Sequence, residues 1–229
     1  MSEVNVSDNL KKLRLRIAKA EQAVGRAPNS VGLVAVSKTK PISLIRAAIA
    51  EGHRAFGENY AQEAIEKATA LADLGLEWHF IGPVQSNKTQ GLASAMSWVH
   101  TVDRLKIARR LNDQRPENMP ALNVCLQVNI SQETSKAGLP PDQVAALARE
   151  VAGLPRLRLR GLMAIPAPTD NTLEQRQAFA DMRELLLQLK STLPELDTLS
   201  MGMSGDLEAA IAEGATLIRV GSDIFGARN

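Results

Sequence analysis

The sequence predicts an α/β protein: a closed (β/α)8 TIM barrel carrying an extra N-terminal helix. Three observations lead there. Eight short, mainly apolar runs alternate strictly with helical patterns, as parallel strands joined by crossover helices do. Several runs are apolar without interruption, the mark of strands covered on both faces. The length, 229 residues, suits eight such units in a single domain. No linker, composition break or self-similar period divides the chain, so one domain over residues 1–229 is expected.

The elements follow in order. Leu10, Leu13, Ile17 and Ala20 recur at helical spacing within Asp8 to Ala23, with Ser7 or Asp8 as N-cap. This helix precedes the first strand and is expected to pack across one end or side of the barrel. Val31 to Val36 is the first strand and runs into Ser37-Lys38-Thr39-Lys40-Pro41; a helix spans Ser43 to Glu51 and closes at Gly52. Arg54 to Asn59 is the second strand, followed by a helix through Leu71. Glu77 to Gly82 is the third, with its helix near Lys88 to Met96. Trp98 to Asp103 is the fourth, with Arg104 to Asn112 helical, and Asn123 to Ile130 is the fifth. A polar loop, Ser131 to Pro141, precedes a helix over Asp142 to Ala152. Leu159 to Pro166 is the sixth strand, followed by the longest helix, Leu173 to Leu193. The last two strands lie between Thr198 and Gly226, separated by a short helix over Leu207 to Glu213.

Composition narrows the function. A net charge of +2 and 3% aromatic residues argue against a nucleic-acid surface, and no apolar run reaches the length of a membrane span. The polar N-terminus has no signal-peptide core, and a lone cysteine, Cys125, fits a reducing compartment such as the cytoplasm. Cys125 lies in an apolar strand and reads as an inert core thiol. The three histidines occupy separate elements with no metal-site spacing, and His79 and His100 read as satisfied core residues.

Barrels of this kind place their sites at the carboxyl ends of the strands. The polar residues there are Lys38, Glu58 and Asn59, Gln85 and Asn87, Asp103, Asn129, Ser204 and Ser222. Lys38 shares the alternating face of Val34 and Val36, so its amine is expected at the barrel mouth, where desolvation would favour condensation with a carbonyl. The stretches around Gly202-Met203-Ser204-Gly205 and Gly221-Ser222 each turn from a strand into a helix start, which together suit a phosphate. Arg219 lies inside the eighth strand, where a guanidinium needs either an internal salt bridge or an acceptor on a ligand. An amine for an aldehyde, a guanidinium for a ring nitrogen and a phosphate cradle together describe pyridoxal 5′-phosphate.

The motifs Val36-Ser37-Lys38-Thr39-Lys40-Pro41, Phe56-Gly57-Glu58-Asn59-Tyr60, Trp78-His79-Phe80-Ile81-Gly82 and Leu199-Ser200-Met201-Gly202-Met203-Ser204-Gly205-Asp206 occur in that order, with Ile218-Arg219-Val220-Gly221-Ser222 near the end. Over nearly the whole chain they resemble the pyridoxal phosphate homeostasis protein family. The resemblance implies the N-terminal barrel of the alanine racemases, standing alone. It implies a Schiff base between Lys38 and pyridoxal 5′-phosphate, a phosphate held by Ser204, Gly205, Gly221 and Ser222, and Arg219 facing the pyridine nitrogen. Asn59 would lie beside the cofactor and Met201 near it; Lys136 corresponds to a second lysine tied to cofactor exchange. The chain ends at Asn229, so the β-domain that closes the racemase site is not expected. Tyr60 is the single tyrosine, and an arginine at the ring nitrogen weakens the electron sink. The expected role is therefore intracellular vitamin B6 homeostasis, holding and supplying the cofactor without substantial catalysis. Expected partners are pyridoxal phosphate-dependent apoenzymes, reached from a monomer or weak dimer. Two alternatives stay open: a small amino-acid racemase using the same cofactor, and a Schiff-base aldolase acting on a phosphosugar.

Overall fold

The computed structural model describes residues 4–133 and 137–226. Eight parallel strands close on themselves in sequence order. They are β1 (Gly32–Val36), β2 (Ala55–Glu58), β3 (Glu77–Phe80), β4 (Trp98–Val102), β5 (Leu122–Val128), β6 (Leu157–Ala164), β7 (Thr198–Ser200) and β8 (Leu217–Val220). The helices are α1 (Val6–Ala23), α2 (Ile42–Ala50), α3 (Ala61–Ala70), α4 (Thr89–Ala95), α5 (Leu105–Gln114), α6 (Pro141–Ala152), α7 (Thr172–Lys190), α8 (Leu207–Ala212) and α9 (Ser222–Phe225). The expected strands are all present, most of them ending one or two residues earlier than their apolar runs.

Side-chain alternation divides the interior in two. Ala35, Phe56, Trp78, Phe80, Val124 and Leu126 pack outward into the main core between sheet and helices. Trp98, Cys125 and Met163 form a separate, smaller cluster inside the barrel, with Leu217 against it. Arg160 lies over the Trp98 ring at 4.7 Å and pairs with Asp197 at 2.6 Å. Cys125 is fully buried there, and burial pushes its thiol up to about 12, as an inert core thiol requires.

Of the two expected places, the N-terminal helix takes the side of the barrel and not its end. Its stripe of Val6, Leu10, Leu13 and Ile17 is buried, and it packs against α2, α8 and α9. The helix after β8 is only four residues long, so α1 fills the gap in the outer ring beside it. The N-cap is Asn5, whose side chain accepts from the Asp8 amide, rather than Ser7 or Asp8. Val6 belongs to the buried stripe, and that draws the helix start two residues earlier than expected. Asn9 Nδ2 donates to Ile224 O at 3.0 Å, and Arg16 reaches Ser204 O at 2.9 Å while pairing with Glu208. Thus α1 holds, from outside, the loops that follow β7 and β8.

If α1 is a structural member of the ring, Leu10→Ala or Leu13→Ala should cost about 2–5 kcal/mol in urea unfolding, the range for buried leucine truncation. A loss below about 1 kcal/mol would mark α1 as an appendage.

Candidate functional site

The carboxyl ends of the strands surround a cavity of about 310 Å³. Its wall holds Lys38, Asn59, Ser204, Gly205, Arg219, Gly221 and Ser222, which arrive from four loops and strand ends. Barrel closure brings them together. β1 pairs with β8, with Val34 opposite Arg219 and Ala35 opposite Val220. The β1–β2 ladder runs one residue past β1, where the Ser37 amide donates to Gly57 O at 2.9 Å. Lys38 therefore keeps the inward alternation of Val34 and Val36, although it sits in the turn rather than in the strand.

Asn59 is set by a close approach that only glycine permits. A Cβ on Gly82 would lie 1.9 Å from Asn59 O. The Asn59 amide oxygen is buried without a hydrogen-bond partner among the described residues. Arg219 is buried at 3% exposure. Its partners among the described residues are the Ser200 hydroxyl at 2.8 Å and the Ala164 carbonyl at 3.0 Å, not a carboxylate. That decides against the internal salt bridge. Burial draws its pKa down to about 10, with Asp206 and Cys125 pulling upward, so it remains a cation at neutral pH. With five N–H donors, the guanidinium has capacity beyond these two bonds.

Met201 is not on this wall. It is fully buried in the core between sheet and helices, and Met203, 38% exposed, lines the cavity instead. Alternation explains the difference: Ser200 points into the barrel, so the next residue points out. Glu58 likewise faces outward, into the layer beneath α3, and Asn129 is engaged by its own loop through Glu133. Gln85 and Asn87 are exposed and away from the cavity. Lys136 lies outside the described residues.

The family model described as alanine racemase, N-terminal domain, matches residues 9–229. The chain is 60% identical to the pyridoxal phosphate homeostasis protein of Pseudomonas aeruginosa, over 98% of this chain and 96% of the relative. The chain belongs to the pyridoxal phosphate homeostasis protein family. Among solved structures, PipY of Synechococcus elongatus PCC7942 with PLP bound is 40% identical, with a TM-score of 0.80 over 92% of this chain and all of that one (100%). An alanine racemase of Clostridium difficile 630 shares the fold at 14% identity, with a TM-score of 0.73 over 98% of this chain and 57% of its own.

This member of the family carries a buried polar chain through the barrel that its sequence did not disclose. Arg219 donates to Ser200 Oγ; His100 Nδ1 lies 2.7 Å from the same oxygen, and His100 Nε2 lies 2.9 Å from His79 Nδ1. His79 Nε2 lies 2.7 Å from the carboxylate of Glu77, in a close but angled contact. The carboxylate end, with neutral rings, sets the direction of the bonds. A guanidinium only donates and an ionised carboxylate only accepts. The adjacent His79 ring holds the Glu77 carboxyl below its usual range, so it is ionised at neutral pH. Burial depresses both histidines, which are therefore neutral. His79 then carries its proton on Nε2, His100 carries its own on Nε2, and the Ser200 hydroxyl donates to His100. Three hydrogen bonds and the close His79–Glu77 contact thus connect the cation to the carboxylate through the lumen.

Nitrogen-detected NMR checks this assignment. Both rings should be neutral Nε2–H tautomers at pH 7 and should not titrate near the usual histidine value of about 6.5. An Nδ1–H tautomer or a charged ring at either position would contradict it. Linkage supplies the sign of the stability effect. Below about pH 6.5 the unfolded chain binds protons that the native histidines refuse, so stability should fall as pH drops from there.

Proposed function

We propose that the chain binds pyridoxal 5′-phosphate covalently through Lys38 and holds, buffers and supplies it in the cytoplasm, as part of intracellular vitamin B6 homeostasis, without substantial catalysis. One observation carries this reading: an amine, a buried guanidinium and a Ser-Gly cradle share the wall of one cavity. The names of its relatives and the PLP-bound PipY structure support it.

The residues present fit the cofactor. A Cβ on Gly205 would meet nothing within 4 Å, so the backbone there borders open space that an anion can approach. Ser204 and Ser222 add hydroxyl donors, and the first N–H groups of α9, next to Gly221, have no intrahelical acceptor. Arg219 has donors to spare for a ring nitrogen, and the buried Asn59 amide oxygen on the same wall has no hydrogen-bond partner among the described residues. Met201 contributes through packing behind the wall, not by contact.

When bound, the cofactor supplies an aldehyde carbon for an amine and a phosphate for an anion site. Lys38 would supply the amine that holds that carbon by condensation, with water as the only by-product. Ser204, Gly205, Gly221 and Ser222 hold the phosphate. Arg219 keeps its own proton and donates a hydrogen bond to the pyridine nitrogen, which leaves the ring a weaker electron sink. Tyr60 is 54% exposed and outside the cavity wall, so it is poorly placed as a base. These features favour holding the cofactor over turning over amino acids. The recipients in this reading are pyridoxal phosphate-dependent apoenzymes, reached from a monomer or weak dimer across a mouth that exposes Ile165 and Met203.

The loaded protein should absorb visible light, and borohydride should fix the cofactor's mass on the peptide containing Lys38. Lys38→Ala should lose the visible band yet still bind the cofactor through its phosphate. A fixed mass on another lysine, or a Lys38→Ala protein that keeps the band, would overturn the proposal.

A further inference from the structure

We propose that Lys67 and Glu63, on the outer face of the sheet, are positioning residues that aim the Lys38 amine into the cavity. This rests on the reading of Lys38 as the cofactor-bearing lysine.

Lys67 sits on α3, only 6% exposed, behind β1 and β2 as seen from the cavity. Its Nζ makes three contacts at 2.7 Å: to Ser37 O, to Glu58 Oε1 and to Glu63 Oε1. Those use all three ammonium protons. Ser37 O belongs to the peptide unit before Lys38. The peptide unit after it ends in the Thr39 amide, which donates to the same Glu63 Oε1 at 2.7 Å. One ammonium thus grips both peptide units flanking Lys38, one directly and the other through Glu63. The Ser37 hydroxyl donates to Glu58 Oε1 at 2.6 Å and ties the same segment to β2. Thr39 has a φ of 61°, in the left-handed region that a β-branched residue avoids, so the turn needs an external hold. With both peptide planes fixed, the Cα–Cβ direction of Lys38 is fixed too.

Stability alone does not account for this cluster. Burying a lysine against carboxylates carries a desolvation penalty that packed apolar side chains avoid, and apolar replacement of whole buried ion pairs is often neutral or stabilising. Glu58 shows the cost: burial raises its carboxyl above the usual range despite Lys67 and Ser37, and its Oε2 is buried without a hydrogen-bond partner among the described residues. What the charged cluster provides is three directed bonds at a place where direction decides whether an amine meets an aldehyde.

The test is the rate at which apo protein captures pyridoxal 5′-phosphate, followed by the rise of visible absorbance and by the borohydride-fixed mass on Lys38. Glu63 is partly exposed, at 25%, so Glu63→Ala should fold. It should slow capture by about tenfold or more, while Glu63→Gln, which keeps an acceptor for the Thr39 amide, should restore most of the rate. Lys67→Met should slow capture at least as much as Glu63→Ala; if it fails to fold, the Glu63 pair decides. Capture at the wild-type rate in Glu63→Ala, or no recovery in Glu63→Gln, would overturn the inference. A wild-type protein that forms no band at all would instead overturn the reading of Lys38.

Discussion

The hydrogen-bonded seam between β1 and β8 is the constraint on which the rest depends. Residues from the first and last fifths of the chain become neighbours there, with Val34 opposite Arg219. The approach is close: a Cβ on Gly221 would stand 3.0 Å from Val36 O. Lys38 follows one side of the seam, and Gly221 and Ser222 follow the other. Without closure, the amine and the anion cradle would lie on opposite edges of an open sheet. The placement of α1 belongs to the same constraint. By filling the ring beside the short α9, it keeps the seam covered and reaches around to Ser204 and Ile224.

A barrel lumen is a poor place for charge, yet this one holds a guanidinium near its mouth. The cost is met by order rather than by a counter-charge at contact distance. Arg219 donates to Ser200 and Ala164, and the Ser200 bond is the first of a directed series through two neutral histidines to Glu77. Arg219, Ser200, His100 and His79 Nδ1 are joined by hydrogen bonds, and His79 Nε2 ends the series in close contact with the Glu77 carboxylate, an order that helps to specify one arrangement. Arg219 is thereby held at one place and in one orientation, which is what a ring nitrogen in the cavity would need from it. On the other side of the sheet, the Lys67 cluster does the equivalent for the segment that carries Lys38.

Much of this was legible in the sequence, and the remainder has physical reasons for being hidden. Uninterrupted apolar runs gave away the strands, and the alternation of Val34 and Val36 placed Lys38 at the mouth. The Ser-Gly pairs after β7 and β8 were readable because turns next to an anion favour those residues. Strand alternation also determines Met201, but the family resemblance put it near the cofactor where the period from inward-facing Ser200 points it outward. Period two places His79 and His100 inside as well. Their joining to Ser200, a hundred residues further on for His100, depends on strand stagger in the closed barrel, which no local pattern encodes. The apolar stripe of α1 was plain, whereas its docking place depended on how short α9 turned out to be.

The central claim is that one cavity spans a single pyridoxal phosphate, with its amine, ring-nitrogen and phosphate partners all supplied by this chain. A crystal structure of the borohydride-reduced complex tests it most directly. The account expects continuous density from Lys38 Nζ, the phosphate against Ser204, Gly205 and Ser222, and the pyridine nitrogen within hydrogen-bond reach of Arg219. A ring nitrogen turned to solvent, or a phosphate seated away from the start of α9, would contradict it.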